Sequence, residues 1–157
     1  MHVLFVCTGN SCRSVMAEMA MRHMLDQAAV RTITIESAGV FAIEGMRPTQ
    51  ETVQVLQEIG VICGDHRARR ITEEMTSKAD LIFVMERFQG EEIARRFPMS
   101  APKIHLFKSF GIAPHEVEGD PNIADPIGKP LEVYEVCLNE IRIAVERVLR
   151  HLGVRSA

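Results

Sequence analysis

Cys7 and Arg13 are separated by five residues, Thr8, Gly9, Asn10, Ser11 and Cys12, and Ser14 follows at once, in the run HVLFV-CTGNSCRS-VMAEMAMRHML. A thiolate is a strong nucleophile, and a guanidinium fork holds two oxygens of one oxyanion, which a lysine cannot do. The apolar residues before Cys7 read as a buried strand and those after Ser14 as an amphipathic helix, with a tight polar turn between them. On such a turn the backbone N–H groups and the helix N-terminus point inward, a seat suited to a phosphate dianion. The same positive field favours the thiolate over the thiol. The chemistry on offer is attack by sulfur on phosphorus, with fixed donors around the charge that develops.

A second group must protonate whatever leaves. Residues 109–129 hold three prolines, three glycines and no sustained period, and loops of that length in compact domains are commonly functional. Two Asp-Pro steps lie in this stretch, Asp120-Pro121 and Asp125-Pro126, and either proline stiffens the approach of its carboxylate. In open α/β sheets the site lies at the carboxyl ends of the strands, where both Cys7 and this loop emerge.

The elements that must position these groups alternate along the chain. Short runs rich in Val, Ile, Leu and Phe predict strands over 2–6, 32–37, 80–85 and 103–107. Helical periodicity predicts helices over 14–28, 48–59, 72–78, 88–97 and 130–152. The last is clearest: Leu131, Tyr134, Leu138, Ile141, Val145, Val148 and Leu152 recur at spacings of three and four. Pro48 and Pro130 are read as first-turn prolines, and Thr72 with Glu73 and Glu74 as a cap with dipole-matched charges. Such alternation predicts an α/β fold with a parallel sheet between helical layers.

A chain of 157 residues with 46% apolar and 25% charged side chains predicts one ordered domain over 1–157. No apolar run approaches a membrane span, and the start lacks the basic and cleavage regions of a signal peptide. The net charge of −3 argues against a nucleic-acid partner. Four cysteines are too few for a disulfide framework and point to the reducing cytoplasm. Cys63 and Cys137 read as structural, His66 with Arg67, Arg69 and Arg70 as a solvated or scaffold-bonding cluster, and the nine methionines mainly as core.

VCTGNSCRS with MAE after it, then ESAG at 36–39, HRARRIT at 66–72, ADLIFVM at 79–85 and ADPIG at 124–128 together resemble the low-molecular-weight protein tyrosine phosphatases, in order along nearly the whole chain. The resemblance implies a three-layer αβα sandwich of the phosphatase I-like type, with a central four-stranded parallel sheet. It also implies a two-step hydrolysis of phosphorylated protein substrates without metal or other cofactor. By position, Cys7 is then the nucleophile through a phosphocysteine, Arg13 the phosphate ligand and Asp125, in its DPxG context, the general acid and then base. Asn10 and Ser14 match positions that shape the loop and hydrogen-bond the thiolate, and Ser37 one that supports the loop from the second strand. Thr8, Gly9, Ser11 and Cys12 complete the oxyanion seat, with Phe41 as a pocket wall.

Three departures bear on the substrate. Val15 replaces a proline common at the helix start, with little consequence for catalysis. Ile127 stands where relatives place an aromatic residue, and Ser11 where tyrosine-directed relatives carry a bulkier aliphatic residue and arginine-directed ones a threonine. With SAGVFA at 37–42, these features resemble the arginine phosphatase branch, so phosphotyrosine and phosphoarginine both stand as substrates. Cys12 is either a silent loop residue or a redox partner that captures oxidised Cys7 as a disulfide. Two other functions use such a loop. An arsenate reductase needs further cysteines late in the chain, and 86–98 has none. A non-catalytic phosphate-binding module has little use for both Cys7 and Asp125.

Overall fold

The computed structural model describes residues 1–155. Strand β1 (His2–Cys7) is buried at every position, because it is the interior strand between β2 (Thr34–Gly39) and β3 (Leu81–Val84); β4 (Ile104–Leu106) lies beyond β3, giving the order β2-β1-β3-β4. All three pairings are parallel, as crossovers through helices require. A strand covered on both faces reads as continuous apolar sequence, and β1 does so.

Alternate residues of β1 enter two cores. Val3, Phe5 and Cys7 face the layer formed by α1 (Arg13–Gln27), α2 (Gln50–Glu58) and α5 (Leu131–His151), with Met16, Met21, Leu56, Ile141 and Val145. Leu4 and Val6 face the opposite layer, where α3 (Glu73–Lys78) and α4 (Arg87–Arg96) contribute and Ile71, Ile82, Val84 and Ile93 fill the space. The three-layer sandwich and its four parallel strands are thus as expected. Phe5, Phe83 and Phe107 pack with ring centroids 5.0–5.7 Å apart, within the range for favourable aromatic pairs.

Boundaries shift where side chains intervene. β1 runs on to Cys7 and β2 to Gly39, which pair with each other, so Cys7 is the last ladder residue of its strand. Pro48 lies before α2 rather than in its first turn: Thr49 is the cap, its hydroxyl accepting from Thr52 N at 3.3 Å. Pro130 is itself the N-cap of α5, and Thr72 caps α3 by accepting from Met75 N. The 109–129 stretch is irregular apart from a 3-10 turn at Pro114–Glu116. It is tied to the β3–α4 turn where Ile123 N donates to Met85 O at 2.8 Å and Arg87 N to Asn122 Oδ1 at 2.9 Å. Among the described residues no helix is long and apolar enough to cross a membrane.

Candidate active site

β1 delivers Cys7, and the next five residues bend back before α1 begins at Arg13. The bend is held from outside: Val40 N donates to Cys7 O and Phe41 N to Thr8 O, each at 3.0 Å. Gly39 makes this approach feasible, because a Cβ there would lie 2.6 Å from Thr8 O and 3.0 Å from Asn10 N. Cys12, the N-cap of α1, makes no side-chain cap bond, and the first turn carries no acidic residue. The N-terminal amides of α1 are therefore left to an external anion.

Asn10 is the keystone of the loop. It is fully buried with φ +54, the left-handed region that asparagine tolerates better than most residues. Its Oδ1 accepts from Arg69 N at 3.1 Å, which fixes the amide orientation, and its Nδ2 donates to Ser14 Oγ at 2.9 Å and Ser37 Oγ at 3.0 Å. Ser37 in turn donates to Glu18 Oε2. With Asn10 donating to it, the Ser14 hydroxyl has its own proton free for Cys7 Sγ, 3.0 Å away, and Asn10 N donates to the same sulfur at 3.3 Å. Two donors thus converge on Cys7 Sγ.

Arg13 is 1% exposed. Its Nη1 donates to Ile123 O at 2.7 Å and pairs with Glu86 Oε2 at 2.9 Å, while Nη2 lies 3.3 Å from Asp125 Oδ2. Its buried Nε has no hydrogen-bond partner among the described residues. Burial alone would depress the guanidinium, but Cys7, Glu86 and Asp125 hold it above the ordinary arginine value. It stays charged.

Asp125 holds its place through Oδ1, which accepts from Ile127 N at 3.1 Å. The other candidate, Asp120, accepts from Asn122 N at 2.9 Å and lines a separate cleft with Lys108 and Arg147. The loop thus brings one of its two aspartates to Arg13. Ser11 is half-buried, and its carbonyl accepts from Thr49 N at 3.2 Å. The Cys12 thiol is buried near Thr49 Oγ1 (3.5 Å) and Tyr134 OH (3.7 Å), so of Cys12 the backbone, not the sulfur, belongs to the seat. Phe41 is attached to the loop by its backbone, but its ring is 56% exposed beneath Arg96, 5.0 Å from the guanidinium carbon.

The 66–70 cluster is a scaffold: His66 Nε2 lies 3.2 Å from Asn10 O, Arg69 Nε donates to Ser37 O and Arg70 Nε to Ala42 O. Glu86 and Gln89 went unrecognised in the sequence. Gln89 accepts from Met85 N and Glu86 N at 2.9 Å and donates to Thr8 Oγ1 at 3.2 Å, joining the β3–α4 turn to the catalytic loop. A Glu-x-x-Gln pair directly after a strand, readable as a capping box, was the available signal.

Displacement at phosphorus through sulfur is the work of cysteine-dependent phosphatases, and to that class this fold and loop point. The chain belongs to the low molecular weight phosphotyrosine protein phosphatase family, which it matches over residues 2–156. A protein-arginine-phosphatase of Geobacillus stearothermophilus is 34% identical over 151 residues, covering 96% of this chain and 95% of the relative. A low molecular weight protein tyrosine phosphatase from T. tengcongensis superposes with a TM-score of 0.87 at 37% identity, over 96% of this chain and 99% of that one. The YwlE arginine phosphatase, in a mutant with a phosphorylated active site serine, gives 0.89 at 28% identity, over 98% of this chain and 96% of that one.

Proposed function

We propose that this protein removes phosphate from phosphorylated protein side chains in two displacements. Cys7 Sγ attacks phosphorus while the loop amides and the Nε and Nη2 of Arg13 hold the equatorial oxygens. Asp125 gives its proton to the departing oxygen or nitrogen, and its carboxylate then takes a proton from the water that cleaves the phosphocysteine. The observation that carries this scheme is the buried Arg13. Its unpartnered Nε and its contact with Asp125 set a dianion seat, with an acid beside it, over a sulfur already held by Ser14.

Phosphotyrosine fits the family, and phosphoarginine is supported by particular residues. Ser11 offers a small hydroxyl at the loop, and Ile127, 56% exposed, supplies no aromatic wall for a phenyl ring. Parallel kinetics on phosphotyrosine and phosphoarginine peptides, with Cys7→Ser as control, test both proposals. Cys7→Ser should abolish turnover while vanadate still binds. Ser11→Ile should suppress phosphoarginine hydrolysis and spare phosphotyrosine hydrolysis. Residual turnover by Cys7→Ser within about tenfold of the parent, a loss of at most about 1.4 kcal/mol of transition-state stabilisation, removes Cys7 from its role. Equal losses on both peptides remove Ser11 from discrimination.

A further inference from the structure

Beside the catalytic loop lies a concave surface that hydrolysis itself does not use. A groove of about 750 Å³ opens between the start of α2 and the 62–67 stretch, with Arg47, Val53, Ile62, Asp65, His66 and Arg67 among its walls. Gly45 N donates to Ala68 O at 2.9 Å and Ala68 N to Met46 O at 2.8 Å. The φ of +82 at Gly45 suits glycine. The next residue on each segment, Arg47 and Arg67, is thereby brought to one edge. Both are exposed, and among the described residues neither takes part in an ion pair.

The groove neighbours the 7–14 loop. Thr49 N donates to Ser11 O and His66 Nε2 lies 3.2 Å from Asn10 O, so both of its lips are fastened to residues that surround the phosphate seat. Its walls are apolar as well as basic, with Val53 and Ile62, the latter 79% exposed; Met46, next to Arg47, is 50% exposed. Exposed apolar side chains grouped beside a site mark an interaction surface more often than scattered ones do. On a chain of net charge −3, paired arginines here make a local attraction for an anionic partner.

We infer that this groove docks an acidic segment of the phosphoprotein substrate, flanking the phosphorylated residue, with its carboxylates on Arg47 and Arg67 and an apolar side chain against Ile62 and Val53. This rests on the phosphatase reading and deepens it, since it names what stands beside the phosphate. Asp65 is the opposing charge in the groove and limits how many carboxylates it takes.

The test compares kcat/KM on p-nitrophenyl phosphate, which is too small to reach the groove, with that on phosphopeptides carrying acidic or basic flanks, each at low and physiological salt. The phosphoresidue is whichever the parent hydrolyses. Acidic flanks should raise kcat/KM by about tenfold at low salt and less at physiological salt, as expected of exposed charge pairs. Arg47→Glu with Arg67→Glu should reverse the preference and Asp65→Asn should strengthen it. Both variants should keep the parent's rate on p-nitrophenyl phosphate, which also reports that they fold. Flank-blind turnover by the parent overturns the inference alone. So does a concentration-dependent dimer that the double variant abolishes, because a second copy would then occupy the groove. A chain that hydrolyses neither the aryl phosphate nor any peptide overturns the phosphatase reading, and the inference with it.

Discussion

Ser14 has one proton to give, and Asn10 decides where it goes. Because Asn10 Nδ2 donates to Ser14 Oγ, the Ser14 proton is left for Cys7 Sγ, and a buried asparagine thereby acts on the nucleophile through a neighbour. The two aspartates each accept from the backbone N–H two residues on, but Asp125 also reaches Arg13, and the proposed scheme takes it as the acid. Asp125→Ala should therefore slow substrates with poor leaving groups by about 100-fold or more, within the usual span for general acid catalysis. It should affect p-nitrophenyl phosphate far less, and Asp120→Ala should match the parent on both. Steady-state kinetics over a series of aryl phosphates will show it, and the reverse pattern would reassign the acid. Cys7 and Arg13 were legible in the sequence because both sit on one short turn, where spacing translates directly into geometry. The choice between the aspartates required the family resemblance, and the pairing of Glu86 with Arg13 was not legible because the two lie 73 residues apart along the chain.

At the scale of elements, the site depends on how closely β2 can pass the loop that leaves β1. Gly39 ends β2, and its missing side chain lets the backbones meet. Gly39→Ala places a Cβ 2.6 Å from Thr8 O and 2.9 Å from the Ala42 side chain, and a carbonyl in a tight loop has little room to retreat. The variant should lose about 1–3 kcal/mol of stability, the usual range for overpacking, with a fall in kcat/KM larger than unfolding explains. Urea denaturation and kinetics on one preparation separate the two effects. Strand and helix positions were readable because the period-2 and 3.6 patterns are local. Boundaries moved by a residue or two where single side chains decide them: the Thr49 cap beyond Pro48, and the Glu86–Gln89 capping box that starts α4 at Arg87. The tie between the 109–129 loop and β3 through Ile123 and Met85 involves only backbone atoms, so no residue type announces it.

Across the whole molecule, all four cysteines face the α1–α2–α5 layer, but their surroundings differ. Cys7 lies where donors converge, whereas Cys137 and Cys63 are packed into the α1–α2–α5 layer. Burial pushes the Cys137 thiol up from 9.0 to about 12; it does the same to Tyr134, from 10.0 to about 12, and raises Cys63. A folded state that prefers the neutral thiol holds its full stability below pH 9, where the unfolded thiol is also neutral. It loses that stability as pH rises towards 12, because only the unfolded chain then ionises. The urea midpoint should accordingly fall through this range, and Cys137→Ala should flatten the fall while Tyr134 still contributes; parallel curves for parent and variant would show that Cys137 does not titrate with unfolding. The most direct measurement for the whole assembly is the intermediate itself. When Asp125→Ala enzyme turning over p-nitrophenyl phosphate is quenched in acid and digested, mass spectrometry should find one phosphoryl group on the peptide holding Cys7, and none in Cys7→Ala enzyme treated alike. A phosphoryl group on another residue, or hydrolysis that proceeds in Cys7→Ser, would contradict attack by Cys7 at phosphorus.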